Sequence, residues 1–202
     1  MEFLVVRHGQ PVHAVENRHG GRADYPLTEL GREQSRCAAA WIASYYQVDR
    51  IVSSPQKRAI ETAHIIAQTC SLDVATDDAL MEFDSGVLAG MLKSDAAVKY
   101  PKPEGGRRPH ESLPGGESMI AFRARVQTVF SRLLSAAQPD QRTAIVAHGG
   151  TITMLFRAFL DLPMSDDVWL TTDETGMHLW RIDGAQRRIV FSNSLAHLKN
   201  NG

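Results

Sequence analysis

Apolar residues in this chain fall into two kinds of pattern that alternate along its length. The run Phe3–Val6 is continuous and ends in Arg7-His8-Gly9. A continuous run, unlike an alternating one, predicts a central strand covered on both faces. "TAIVAHGG" (143–150) repeats the design, an apolar run followed by histidine and glycine, and "RIVSS" (50–54) is a shorter strand. Between these runs the apolar positions recur at helical spacing. Thr28 reads as an N-cap with Glu29 in the first turn, and Leu30, Cys37, Ala38, Trp41, Ile42 and Tyr45 share one face. Pro55 is allowed at a helix start, and Ala59, Ile60, Ala63, Ile66, Ala67 and Cys70 line the next helix. Glu117 opens a third, with Val126, Val129, Phe130, Leu133 and Leu134 on its core face, and Pro139 ends it. A fourth follows His148, with Ile152, Leu155, Phe156, Phe159 and Leu160 inward. "MHLWRID" and "RIVFSN" read as two strands about a turn at Asp183-Gly184. Strand alternating with helix predicts an α/β fold, a three-layer α/β/α sandwich on a largely parallel sheet.

Three stretches break the pattern. Residues 10–27 are glycine-rich and irregular, residues 80–90 have no period, and residues 93–116 are polar and rich in Pro and Gly. The last predicts a lid inserted at about 91–118 in one domain spanning 1–202. The 202 residues suit one well-packed domain.

Composition changes this picture little. With 22 basic and 23 acidic residues the net charge is −1, which argues against coating nucleic acid or a membrane surface. No apolar run approaches the ~20 residues of a membrane span, and "MEFLVVRHG" does not read as a signal peptide. Cys37 and Cys70 fall on faces that look buried and read as inert core thiols. A cytoplasmic protein is expected. The tail "SLAHLKNNG" (194–202) leaves open a homodimer contact or a frayed end.

The polar strand ends carry the chemistry. In an open parallel sheet, ligands bind beyond the carboxyl ends of the strands. Arg7 and His8 follow the first strand, Ser53, Ser54 and then Arg58 follow the second, and His148 follows the third. Parallel strands would bring two arginines and two histidines to one edge. Arginine presents a planar fork suited to phosphate oxygens. Gly9 and Gly149 would let backbone N–H groups approach an anion, and a helix starting near Gly149 adds its positive end. One imidazole would attack phosphorus and the other stabilise charge. Glu82, flanked by Leu80-Met81 and Phe83, is the candidate proton donor, with Asp84 as backup. Taken singly, each of these residues has a plain structural reading as a cap, a core histidine or a solvated charge. Their coincidence points to an anion-binding catalytic site.

The segments "LVVRHGQ" (4–10), "PLTELGREQ" (26–34), "IVSSPQKRAIETA" (51–63), "MEFDSGVLAG" (81–90), "PGGES" (114–118) and "IVAHGGTI" (145–152) together resemble the histidine phosphatase superfamily, in its order and spacing. The resemblance implies a phosphoglycerate mutase-like fold and catalysis through a phosphohistidine at His8. Arg7, Arg58 and His148 would hold the phosphoryl oxygens, Glu82 would donate the proton, and neither metal nor cofactor would be needed. Gly9, Gln10, Asn17 and Gly149 would line the phosphate site. The mutases carry "RHGxSxWN", where this chain has Pro11, His13 and Ala14, and the 66 residues from Glu82 to His148 are short for a mutase. The expectation is therefore a metal-independent phosphomonoesterase acting on a small phosphorylated metabolite. Its alternatives are a cofactor-dependent phosphoglycerate mutase and a non-catalytic phospho-ligand-binding member. Lys99, Lys102, Arg107, Arg108 and His110 in the lid are expected to be solvated, since Glu104 and Glu111 are interleaved with them, although a second acidic group on the substrate would also suit them. His13 and His19 either line the pocket or sit in the loop.

Overall fold

The computed structural model describes residues 1–164 and 168–199. In chain order these form β1 (Glu2–Arg7), α1 (Val12–Val15), α2 (Glu29–Tyr45), β2 (Arg50–Ser53), α3 (Lys57–Cys70), β3 (Val74–Thr76), α4 (Lys93–Lys99), α5 (Met119–Ala136), β4 (Arg142–Ala147), α6 (Gly149–Phe159), β5 (Met177–Asp183) and β6 (Gln186–Ser194). Short 3₁₀ turns lie at Asp78–Leu80, Gly86–Leu88 and Ala196–Leu198. The six strands form one sheet in the order β3-β2-β4-β1-β5-β6. The first four run parallel, and β5 and β6 join antiparallel at one edge.

The continuous apolar run of β1 is explained by cover on both faces. Phe3 and Val5 pack with Phe122, Phe130, Ile152, Phe159 and Trp180 under α5 and α6. Leu4 and Val6 pack with Ala38, Ile42, Ala63 and Ile66 under α2 and α3. All four β1 residues are fully buried. Each such side chain contributes ~1.5–3 kcal/mol relative to exposure.

Several expectations need correction. Leu30 and Tyr45 are exposed, at 54% and 66%, because α2 turns Gly31, Ser35, Ala38, Ala39 and Ile42 inward. A side chain at position 31 would collide with the backbone of Gln10, so only glycine fits on that face. Ile60, Leu134, Leu160, Cys37 and Cys70 are half-buried at the margins of the core. The third long helix is opened by Ser118, whose Oγ accepts from Ala121 N–H, while Glu117 turns back to Arg125. Gln56, not Pro55, is the N-cap residue of α3. The regions read as irregular hold α1 and α4, and β3 is an unanticipated three-residue edge strand. The tail packs through the 3₁₀ turn at Ala196–Leu198, where His197 is buried; Asn200, Asn201 and Gly202 lie outside the described residues. Among the described residues no helix is long and apolar enough to cross a membrane.

Candidate active site

The parallel register Arg7↔Ala147 sets the ends of β1 and β4 side by side. His8 and His148, the next residues on each, meet with ring centroids 5.0 Å apart. Both are buried, at 3% and 0% exposure. His8 Nδ1 lies 2.8 Å from Gly9 O, and Arg58 Nε donates to His8 Nε2 at 3.3 Å. The carbonyl needs a proton on Nδ1 and the guanidinium needs a lone pair on Nε2, so one tautomer satisfies both. Burial, and then the charges of Arg58 and Arg7, hold the His8 pKa well below its ordinary value. The ring is a neutral base whose Nε2 faces Arg58.

Arg58 is 1% exposed and spans the site. Its Nη1 donates to Ala23 O and its Nη2 to Gly21 O, both at 2.9 Å, so the loop after α1 wraps around it. Desolvation lowers its pKa to about 10, opposed by the charge of Glu82; it stays a cation at neutral pH. Arg7 bonds through Nη1 to Thr172 O, and its buried Nε has no partner within the protein. His148 bonds through Nε2 to Ser54 Oγ at 2.8 Å, and its buried Nδ1 is likewise unsatisfied. A buried polar atom without a partner costs ~1–3 kcal/mol. Both atoms lie among the arginines and histidines gathered at this strand edge.

Glu82 stands at the N-terminus of α6. Its Oε2 accepts from Gly150 N–H at 3.0 Å and its Oε1 from Phe83 N–H at 2.8 Å. An added Cβ at Gly150 would stand 2.5 Å from Glu82 Oε1, whereas one at Gly149 would make ordinary contact with the Arg7 guanidinium. Gly150, which the strand-end pattern did not single out, is thus the glycine packed against this carboxylate. Gly150→Ala is expected to displace Glu82 and lower kcat by about 10²-fold, with a folded circular-dichroism spectrum retained; kcat within threefold of wild type would refute this.

Gly9 also serves differently from the expectation. Its N–H donates to Thr62 Oγ1 at 3.1 Å, so it is not directed at an anion. Its missing side chain makes room for the Gly31 carbonyl of α2. Gln10 bonds through Oε1 to Thr28 Oγ1 and so braces the start of α2. Asn17 is exposed, with φ +53, and the structure does not bring its side chain to the other site residues. Asp84 accepts from Gly86 N–H and shapes the acid loop. His13 is half-buried beside Tyr25, and burial followed by the charges of Arg58 and Arg7 lowers its pKa to about 4, which places it near the site.

Several contributors gave no sequence signal beyond their motif. Gln56 links two loops, donating to Gly21 O and accepting from Glu82 N–H. Arg22 donates to Glu82 O, and Arg125 donates to the carbonyls of Ala79, Met81 and Glu82 while paired with Glu117. These contacts fix the acid loop from the opposite side to α6.

A cleft of about 470 Å³ opens from Glu82 and Gly150. Lys102, Arg107 and Arg108 line it with Phe83, Met119, Phe122 and Trp169. These three cations line the cleft while remaining exposed, in keeping with the solvated reading. Lys99 and His110 are exposed and line neither this cleft nor the adjoining one, which His19 and Lys93 share with Lys102 and Arg107. Among the described residues no cluster of His, Cys, Asp and Glu is arranged to hold a metal ion.

The buried histidines also set a pH dependence. His8, His13, His148, His178 and His197 all have pKa values lowered chiefly by burial, the second, fourth and fifth to about 4. Their unfolded values lie near 6.5, so between about 4 and 6.5 the unfolded chain binds more protons. The stability gained by keeping them neutral is complete above about 6.5 and lost as pH falls toward 4. Each fully buried ring contributes a slope of up to about 1.4 kcal/mol per pH unit. Urea midpoints should fall steadily from pH 7 to pH 4.5; a flat profile would contradict the burial of these rings.

A sheet whose parallel strands gather two buried histidines and two arginines at their carboxyl edge defines an α/β protein with a cationic, imidazole-lined site at that edge. The chain belongs to the histidine phosphatase superfamily (branch 1), whose family profile matches residues 3–195. It is 30% identical to phosphoglycerate mutase-like protein 4 of Arabidopsis thaliana, over all of this chain and 88% of that one. It is 33% identical to the probable phosphoglycerate mutase GpmB of Proteus mirabilis, over 81% of this chain and 76% of that one. Among solved structures it superposes on a mycobacterial glucosyl-3-phosphoglycerate phosphatase, in complex with VO3, with TM-score 0.84 and 28% identity, covering 96% of this chain and 98% of that one. The alpha-ribazole phosphatase of Shigella flexneri shares the fold, with TM-score 0.85 and 23% identity over 96% of each chain.

Proposed function

We propose that this protein is a phosphomonoesterase that hydrolyses a small phosphorylated metabolite through a phosphohistidine at His8. The observation that carries the reading is the state of His8, a buried neutral imidazole with Nδ1–H committed to Gly9 O and the Nε2 lone pair turned toward Arg58. The unsatisfied Arg7 Nε and His148 Nδ1 supply donors for phosphoryl oxygens.

The Arg58 bond to Nε2 occupies the line along which His8 must attack. On substrate binding the guanidinium N–H turns to a phosphoryl oxygen and the lone pair is released to phosphorus. The N–P bond forms as the P–O bond to the alcohol breaks. The departing alkoxide takes a proton from the Glu82 carboxyl, which acts as the general acid. In the second step Glu82 takes a proton from water, the hydroxide forms a bond to phosphorus, the N–P bond breaks, and His8 returns neutral as phosphate leaves. Arg7, Arg58 and His148 stabilise the charge spread over the equatorial oxygens in both steps. The alcohol part of the substrate lies in the cleft beneath Lys102, Arg107 and Arg108.

The relatives carrying mutase names make isomerisation the competing reading. The test is phosphate release from a panel of phosphomonoesters in EDTA, beside conversion of 3-phosphoglycerate primed with 2,3-bisphosphoglycerate. Phosphate release that survives EDTA is expected. Isomerisation without release would overturn the reading in favour of a mutase, and inactivity in both arms alongside phosphate-ester binding would favour a non-catalytic role.

A further inference from the structure

The residues that aim Arg7 belong to a loop that takes no part in bond making, and their importance rests on the reading of Arg7 as a phosphoryl-binding group. Residues 172–176 run along the end of β1. Gly176 O accepts from Arg7 N–H at 3.2 Å, His8 O accepts from Thr175 N–H at 3.3 Å, and Thr172 O accepts from Arg7 Nη1. With Nε unpartnered, the Thr172 carbonyl is the contact that sets where the guanidinium points.

Thr172 is fixed in turn by His178 on β5. The backbone N–H of Asn193 donates to His178 Nδ1 at 3.2 Å, and Ser192 Oγ lies 2.9 Å from the same atom. Nδ1 is therefore the acceptor, so the proton sits on Nε2 and is donated to Thr172 Oγ1 at 3.0 Å. Burial lowers the His178 pKa to about 4, so the ring stays neutral and the direction of these bonds is preserved near neutral pH. Thr175 is anchored in parallel. Its Oγ1 donates to Glu174 O and accepts from His197 Nε2 at 2.8 Å, which holds a non-glycine residue at φ +55. Asn193 and Asp173 close the loop with two further bonds, at 2.8 and 2.7 Å.

A fully buried histidine is ordinarily only a satisfied core residue. Here the chain of bonds ends on the guanidinium of Arg7. His178 also lies on the same sheet face as Trp180, where an apolar residue would otherwise suit the core. We infer that His178 is a positioning residue for phosphoryl binding, aiming the Arg7 guanidinium through Thr172.

The test is a double-mutant cycle on phosphate release, with inhibition by inorganic phosphate as the binding readout and thermal midpoints recorded alongside. His178→Leu and Thr172→Val are each expected to lower kcat/KM and weaken phosphate inhibition by about tenfold. His178→Gln, whose amide nitrogen can donate where Nε2 did, should recover most of the loss. In an Arg7→Ala background either substitution should change kcat/KM by less than about twofold, because the group it positions is gone. Losses of equal size with and without Arg7, or single variants with lower midpoints but unchanged kinetics, would overturn the inference. Thr172→Val leaves the carbonyl in place and carries the test if His178→Leu does not fold. An Arg7→Ala enzyme as active as wild type would overturn the reading of Arg7 itself, and the inference with it.

Discussion

His8→Ala is expected to lower phosphate release by ~10⁴-fold or more, with urea denaturation still cooperative. The substitution removes the atom that forms the N–P bond, and the neighbouring His148 ring is tied through Nε2 to Ser54. Its effect on folding should be smaller. The ring sits at the edge of the apolar core and gives up one bond to Gly9 O and one from Arg58. Rapid quenching of the wild-type protein with labelled substrate should trap an acid-labile, base-stable phosphoryl group, absent from the variant. Activity within tenfold of wild type, or an unchanged yield of trapped label, would remove His8 from the role of nucleophile.

The second large effect depends on the substrate. Glu82→Gln keeps the size of the side chain but cannot supply a proton. Alkyl phosphates, whose alkoxides leave poorly without protonation, should lose about 10²–10⁴-fold. Nitrophenyl phosphate, whose leaving group needs little help, should lose less than about tenfold in the phosphorylation step. The glutamine amide also meets two N–H donors, from Gly150 and Phe83, and can accept well from only one of them. A modest loss common to all substrates is therefore expected beneath the selective one. Equal losses on both kinds of ester would move the acid elsewhere. Asp84 would be next in line, although its Oδ1 is occupied by Gly86 N–H.

The parts of this site that local pattern reveals are those whose chemistry sits at a strand end. The repeated run of apolar residues, histidine and glycine gave away His8 and His148, because a buried strand that ends in a polar ring is locally anomalous. Arg58 follows from the same argument one strand over. Glu82 was legible only because its stretch lacks a period. The residues that hold these groups were not legible. Gln56, Arg125 and Thr172 act across 26, 43 and 165 positions respectively, on Glu82, Glu82 and Arg7. No local pattern encodes such a pairing. The glycines were misread for the same reason. Gly9 lies next to His8 in sequence, but its requirement comes from Gly31 across the α2 contact, and Gly150 is required by a carboxylate 68 positions earlier. Helix faces failed where packing overrode periodicity, as at Leu30, where close approach of Gly31 to Gln10 sets the rotation of α2.

The place of β1 between β4 and β5 has a consequence for the order of assembly. Its register partners are Arg142–Ala147 on one side and Met177–Arg181 on the other, and Glu2 forms ion pairs with both Arg142 and Arg181. During synthesis, the segment carrying His8 leaves the ribosome well before the strands that flank β1. It must wait for most of the protein before either neighbour exists. α2, β2 and α3 can begin to associate early through local contacts, while Arg7 and His8 are held only after residues 172–176 have arrived. Closing so long a loop is slow and exposes "FLVV" in the interval. Arg7 and His8 are thus synthesised well before the strands that organise them, so premature termination in β5 or β6 would leave a chain that carries both residues but lacks the edge that holds them.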